Sequence, residues 1–307
     1  MTQLFFWAPE AIVNVAQVRH RSPLRYPGGK TWLVPRVNYW LRSLPQRPTE
    51  FFEPFAGGAI VALSVAFEEW AEHVTIVELD EDVAALWHTI LDDEGGAQWL
   101  ADRITSFPIT LENVQVCLAE SGGTVRERAF RTVLRNRVNR GGILAPGAGL
   151  IRYGENNKGI LSRWYPVTIA RRILDIGEIR HRIRFIEGDG LAVIEQNAEN
   201  ANAVFFIDPP YTAGNKSAGS RLYRYSELDH EELFHLTSEL CGDFLMTYDN
   251  DDRLRALAEQ HNFDTQAVAM KNTHHAEMTE LLIGRNLNWC RQANGQAEIA
   301  EEAGNNE

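Results

Sequence analysis

The chain has 307 residues, 44% of them hydrophobic, enough for one large domain with an insertion or for two modest domains. No run approaches the roughly 18 apolar residues of a membrane helix, and Cys117, Cys241 and Cys290 are too scattered for a disulfide framework or a cysteine-based zinc site. The formal charge of −12 disfavours a nucleic-acid partner, yet residues 125–184 hold fourteen Lys and Arg against four Asp and Glu, which reads either as a polyanion footprint or as a solvated arginine-rich face.

The opening MTQLFFWAPE has no positive region ahead of a long apolar core, so no secretion leader is expected and a reducing, cytoplasmic setting is the default. Next comes Arg25-Tyr26-Pro27-Gly28-Gly29-Lys30-Thr31-Trp32-Leu33, which ends like a phosphate-binding loop. Such a loop needs a further glycine at position 24 and a preceding strand. Position 24 is Leu, Pro27 interrupts the loop, and Arg19-His20-Arg21-Ser22-Pro23 is no strand. A nucleotide hydrolase is therefore disfavoured, and this stretch alone reads as a turn before a helix over 31–41.

A strand is expected at 51–53. It runs through Glu53-Pro54-Phe55-Ala56-Gly57-Gly58-Ala59 into a helix over 59–70. The glycine pair would let the backbone approach a ligand at the helix N-terminus. A second strand, 74–78, closes on Glu78, which could accept hydrogen bonds from ribose hydroxyls. The two features fit a nucleoside site or a plain strand-to-helix turn. A helix over 81–91 follows.

Strand–helix alternation then stops. Residues 93–180 read as mainly helical, with Val125, Ala129, Val133 and Leu134 on one face and Arg128, Arg131 and Arg135 elsewhere. A glycine-rich loop spans 141–159, and an amphipathic segment spans 166–183. The stretch reads as a second domain inserted into the first.

Alternation resumes with a strand at 184–187, a helix at 191–197 and a strand at 203–208. That last strand ends in Asp208-Pro209-Pro210-Tyr211. Proline cannot donate to a sheet ladder, so the prolines end the strand and stiffen its edge. A carboxylate, a carbonyl and an aromatic face would suit a planar ligand with an exocyclic amine. The plainer alternative is a strand-ending turn with a capping Asp. The loop Lys216-Ser217-Ala218-Gly219-Ser220-Arg221 is expected to close over such a ligand or to be ordinary surface. A helix over 229–240, with Asp229 and Glu232 spaced as a capping box, leads to a strand at 244–248. His274 and His275 are adjacent and point different ways, so they do not read as a metal pair. The acidic, polar residues 291–307 are expected to be disordered. Strands alternating with helices imply an α/β sheet covered on both faces, with its ligand at the carboxyl ends of the strands.

With these motifs in place, the chain resembles the DNA adenine-N6 methyltransferases of the Dam type, the D12 class. The family's [WY]-x-G-G-K resembles Tyr26 to Lys30, and its E-P-F-x-G-x-G/A resembles Glu53 to Ala59. Its acid closing the second strand corresponds to Glu78, its Gly-Asp to Gly188-Asp189, and its catalytic D-P-P-Y to Asp208–Tyr211. The motif order agrees over roughly 21–290. One departure stands in Asn136-Arg137-Val138-Asn139-Arg140-Gly141-Gly142, where Gly141 replaces an Asn of the family's N-R-x-G-x-N-G and leaves the recognition sequence open.

The resemblance implies a Rossmann-like sheet, split over 21–92 and 181–290, with an inserted, mainly helical target-recognition domain at 93–180. It implies S-adenosyl-L-methionine as cofactor, held by Tyr26, Gly28, Gly29, Lys30, Glu53, Pro54, Phe55, Ala56, Gly57, Gly58, Glu78, Asp189 and Asp208. Lys30 would sit beside the carboxylate of the methionine moiety. Catalysis would fall to Asp208, Pro209, Pro210 and Tyr211, acting on the N6 amine of an adenine flipped out of double-stranded DNA. Contacts to DNA are expected from Arg135, Asn136, Arg137, Asn139, Arg140, Lys216 and Arg221. No metal and no membrane are expected, the oligomeric state is open between monomer and weak dimer, and a restriction-modification setting is one possible role. Cytosine N4 or RNA as target, and a silent DNA-binding relative, are the alternatives.

Overall fold

The computed structural model describes residues 17–26, 28–145, 147–210, 228–271 and 277–292. Seven strands form one mixed sheet: β1 (Glu50–Glu53), β2 (His73–Glu78), β3 (Ile183–Glu187), β4 (Ala203–Ile207), β5 (Asp243–Asp249), β6 (Asp264–Lys271) and β7 (Glu277–Gly284). Their order is β3-β2-β1-β4-β5-β7-β6. The first five are parallel, and β7 runs antiparallel to both β5 and β6.

Parallel strands buried on two faces need apolar residues at successive positions, and the sequence supplies them. Phe51 and Phe52 face opposite ways from β1, as do Phe205 and Phe206 from β4. One face packs against α1 (Val34–Ser43), α2 (Ile60–Glu68) and α3 (Glu81–Trp87). The other packs against α8 (Gly190–Gln196), α9 (His230–Ser238) and α10 (Asp252–Gln260). Helix α2 is apolar almost all round because Ile60 to Ala66 are all buried. No described helix is long and apolar enough to cross a membrane.

The five expected strands and the helices around them are present to within a few residues. The antiparallel pair β6–β7 and helix α10 went unforeseen. Asp264-Thr265-Gln266 is polar at the start of β6, and nothing local marks it as a strand until it pairs with the apolar Leu281-Leu282-Ile283 of β7.

Between β2 and β3 the chain is helical, as expected. A π-helical turn (His88–Asp92) extends α3, and α4 (Gly96–Ser106), α5 (Leu111–Ala119), α6 (Val125–Val138) and α7 (Pro166–Glu178) follow. Helix α6 opens on a full capping box, Thr124 with Glu127. Its apolar face differs from the expected one at one residue. Ala129, Val133 and Leu134 are buried, whereas Val125, in the first turn, is 53% exposed.

The insertion does not build a core of its own. Leu100, Ile104, Phe107, Phe130, Val133, Ile169 and Ile173 belong to the same continuous cluster as Trp87 of α3 and Phe51 of β1. Helix α6 packs on α3, and α7 packs on α4. Of the expected tail, 293–307 lie outside the described residues. Arg291, at the start of that tail, holds Asp264 through two hydrogen bonds of 2.5 and 2.8 Å.

Candidate active site

Strand β1 lies between β2 and β4, where the chain's progression across the sheet reverses. Open α/β sheets place ligands at the carboxyl ends of strands at such a reversal. A cavity of about 620 Å³ opens there. Its walls come from segment 20–31, the Glu53–Ile60 turn, the end of β2, Gly188–Leu191, Asp208–Pro210 and Leu228–Asp229. The motif segments, spread in sequence from Tyr26 to Pro210, thus meet in one pocket.

The Glu53–Ala59 turn forms its floor. Glu53 is buried, and its Oε2 accepts the Ala62 N–H at 2.8 Å, inside the first turn of α2. Burial drives this carboxyl well above the usual range, with the Asp208 charge adding to the rise, while the Ala62 N–H and Lys30 pull it down. Glu53 therefore shapes the turn by anchoring the helix. Gly57 has φ +48°, and a Cβ there would fall 2.5 Å from the Tyr26 ring. Only glycine allows the Tyr26 ring to lie against this turn. A Cβ on Gly58 would lie 3.1 Å from that of Tyr26 and 3.3 Å from Ser22 Oγ.

Glu78 closes β2 on the neighbouring wall. Its two oxygens accept the N–H groups of Gly57, at 2.9 Å, and Asp80, at 2.8 Å. Burial pushes its carboxyl up to about 7 against the pull of those backbone donors. Asp189 is exposed at the start of α8, where its Oδ1 accepts the Leu191 N–H at 2.9 Å. Both line the cavity.

At the end of β4, Asp208 is fixed from two sides. Thr247 Oγ1 of β5 donates to its Oδ1 at 2.7 Å, and Lys30 Nζ approaches the same oxygen at 2.8 Å. Lys30 also reaches Glu280 Oε1 of β7 at 3.0 Å and donates to the Gly28 carbonyl at 3.0 Å. Its side chain is 4% exposed. Burial opposes the ammonium charge, but Asp208 and Glu280 outweigh it and raise the Lys30 pKa above its ordinary value. Asp208 keeps 20% of its side-chain surface open. Lys30, expected beside a cofactor carboxylate, directs Nζ to Asp208, Glu280 and the Gly28 carbonyl. Glu280 and Thr247 had no signal in the sequence beyond lying in an apolar run.

Three of the residues expected at DNA lie inside the fold. Asn136, Arg137 and Asn139 are buried. Asn136 Oδ1 accepts the Arg25 N–H at 2.8 Å, while Nδ2 donates to the carbonyls of Arg25, at 2.8 Å, and Gly142, at 2.7 Å. Arg137 donates to the Pro23 carbonyl, and Asn139 Nδ2 donates to the Ile143 carbonyl at 2.8 Å. This run clamps the loop ahead of Tyr26. Arg135 is half-buried and pairs with Asp82 at 3.1 Å. Arg140 is exposed. Tyr211, Lys216, Arg221, His274 and His275 lie outside the described residues. Among the described residues, no group of three or more His, Cys, Asp or Glu is arranged to hold a metal.

The sheet order, with its antiparallel β7 at one side, is that of a Rossmann-like α/β fold, and its glycine-floored pocket is closed by Glu78 and Asp208. Residues 26–115 match the sequence model of the D12 class N6 adenine-specific DNA methyltransferases. That span contains Tyr26 to Lys30, Glu53 to Ala59 and Glu78, and it ends well before Asp208. No curated protein sequence matches the chain. Among solved structures, a putative RNA methyltransferase from Pyrococcus horikoshii aligns at 11% identity over 88% of this chain and 92% of its own, with a TM-score of 0.37. A methyltransferase from Geobacter sulfurreducens aligns at 12% identity over 81% and 76%, with a TM-score of 0.35. A SAM-dependent methyltransferase from Agrobacterium tumefaciens aligns at 9% over 82% and 59%, also with a TM-score of 0.35.

The pocket fits the cofactor in a specific respect. Gly57 and Gly58 let Tyr26 pack against the turn, since a Cβ at either would press on it, and all three line the cavity. Glu78, on the same lining, offers a carboxyl of the kind that could accept a ribose diol.

Proposed function

We propose that the protein methylates the N6 amine of adenine in double-stranded DNA. The observation that carries this reading is the placement of Asp208. It leaves the parallel sheet beside the cofactor pocket, locked by Thr247 and Lys30 yet open on one side.

When bound, S-adenosylmethionine supplies an electrophilic methyl group on a sulfonium centre. An adenine amine is a weak nucleophile, because its lone pair is delocalised into the ring. Asp208 and the Pro209 carbonyl would accept the two N6 hydrogens and favour a tetrahedral nitrogen with its lone pair aimed at the methyl. Two donors on Oδ1 fix the Asp208 carboxylate before substrate arrives, so little reorganisation accompanies the reaction. Tyr211 would stack on the flipped base. The amine proton becomes acidic only as the new bond forms, so Asp208 need not deprotonate it beforehand.

Residues 21–92 and 181–290 form the catalytic part in this reading, and 93–180 form the target-recognition part. With Asn136, Arg137 and Asn139 committed to the fold, contact with DNA falls to the exposed residues beyond α6. Arg140, Arg152 and Lys158 are exposed there, and Tyr153 and Tyr165 are 73% and 50% exposed. Cations interleaved with exposed aromatic rings suit a nucleic-acid surface.

The test is nucleoside mass spectrometry of DNA and RNA after incubation with the protein and labelled S-adenosylmethionine. N6-methyladenine in DNA is expected. Label confined to cytosine, or to RNA, would replace this reading.

A further inference from the structure

One wall of the pocket has no task in the reading above. His20, Ser22, Leu24 and Arg25 line the cavity. Behind them α6 and α7 bring two guanidinium groups against the backbone. Arg137 donates to the Pro23 carbonyl, and Arg172 Nη1 donates to the Ser22 carbonyl at 3.1 Å.

Arg137 is only 4% exposed, and its Nε is buried without a hydrogen-bond partner. The same holds for Nδ1 of His20 on the cavity side. Among the described residues, no carboxylate pairs with Arg137 or Arg172. Their charged neighbours are themselves cationic. Burial, then Arg172, Arg25 and Arg163, hold Arg137 down to about 9. Burial, then Arg172 and Arg137, hold His20 down to about 4. Positive charge gathered out of water without a counter-ion is costly. Beside a ligand pocket it creates a standing potential for an anion.

The geometry also indicates which anion. S-adenosylmethionine carries a single carboxylate, at the end remote from its adenine. Glu78 and Asp189 mark the nucleoside end of the pocket, and Asp208 marks the reacting centre. The Gly57-Gly58 turn leads the other way, toward Ser22. Lys30, the obvious cation, is engaged by Asp208 and Glu280.

We propose that the methionine carboxylate of S-adenosylmethionine docks in front of His20 and Ser22, in the field of Arg137 and Arg172. The inserted segment then completes the cofactor site from behind. This inference rests on the reading of the cavity as the cofactor pocket.

The test is calorimetry on the full chain with two probes. S-adenosylhomocysteine keeps the carboxylate, whereas 5′-methylthioadenosine lacks the whole amino-acid end. Arg137→Gln and Arg172→Gln are each expected to weaken S-adenosylhomocysteine about tenfold, equivalent to ~1.4 kcal/mol, and to leave methylthioadenosine within twofold. Arg137→Lys, which keeps the charge, should recover part of the loss. Arg172 is only partly buried, so its variant carries the test if Arg137→Gln does not fold. Equal losses for both probes would overturn the proposal in favour of a structural role. So would unchanged S-adenosylhomocysteine affinity with weakened binding of a DNA duplex, which would make the anion a phosphate. If the wild-type protein bound neither probe, the cofactor reading itself would fall.

Discussion

Replacing Lys30 with Met removes the ammonium group that joins Asp208, Glu280 and the Gly28 carbonyl. Methionine fills nearly the same volume, so the loss is electrostatic and not one of packing. Two carboxylates with side chains 20% and 6% exposed are left facing each other across the vacated position. Removing one partner of a buried ion pair costs about 3–5 kcal/mol. At about 2–4 °C per kcal/mol for chains of a few hundred residues, Tm should fall by roughly 6–20 °C. Methyl transfer should fall much further, because Asp208 would lose the ammonium group that, with Thr247, fixes its Oδ1. The informative measurement is a double-mutant cycle by differential scanning calorimetry with parallel activity assays. Adding Glu280→Gln to Lys30→Met takes away one of the stranded charges, so it should raise Tm above that of the single variant while activity stays low. Strictly additive losses, with the double variant less stable than either single one, would show that Lys30 and Glu280 do not act on each other and would refute the chain of charge from β7 to Asp208.

Asp208→Ala should abolish methyl transfer while leaving S-adenosylhomocysteine affinity within a few fold, as read by calorimetry against single-turnover assays. Affinity for the cofactor should decrease as pH drops below about 7. Glu78, pushed up to about 7, takes on a proton through that range and loses acceptor capacity toward a ribose diol; a flat profile between pH 6 and 8 would remove Glu78 from that role. Asn136→Ala strands the backbone groups of Arg25 and should raise KM for the cofactor more than for DNA, since the loop it clamps precedes Tyr26. Arg140→Gln and Arg152→Gln should each reduce the salt dependence of DNA binding by about one unit of log–log slope, with little effect on cofactor affinity.

The sheet and the pocket were legible because their signals are local. An apolar run ending in Glu78 or in Asp208-Pro209-Pro210 marks a strand and its edge, and adjacent glycines mark the turn that a ligand approaches. The partners of Asn136, Arg137 and Lys30 were not legible, because each lies far away in sequence. Arg137 looks like a DNA contact in a basic run and turns out to hold Pro23, 114 residues earlier. Lys30 reads as a ligand contact, and its pairing with Glu280 waits on β7, itself visible only through its own strand partners. A basic segment states where charge is abundant and is silent on which of its residues face outward.

The shared core of sheet and insertion bears on how such a chain can change its target. Trp87 and Phe130 belong to one packed cluster, so the helices between β2 and β3 cannot be exchanged as a cassette. A graft from a distant relative would bring mismatched side chains against α3 and would disturb the strand that carries Glu78. Altered specificity is open instead to the solvent-facing stretch after α6, where Arg152, Tyr153 and Lys158 can be replaced without touching the packing beneath. Laboratory evolution confined to that stretch should yield folded variants far more often than recombination across the whole insertion.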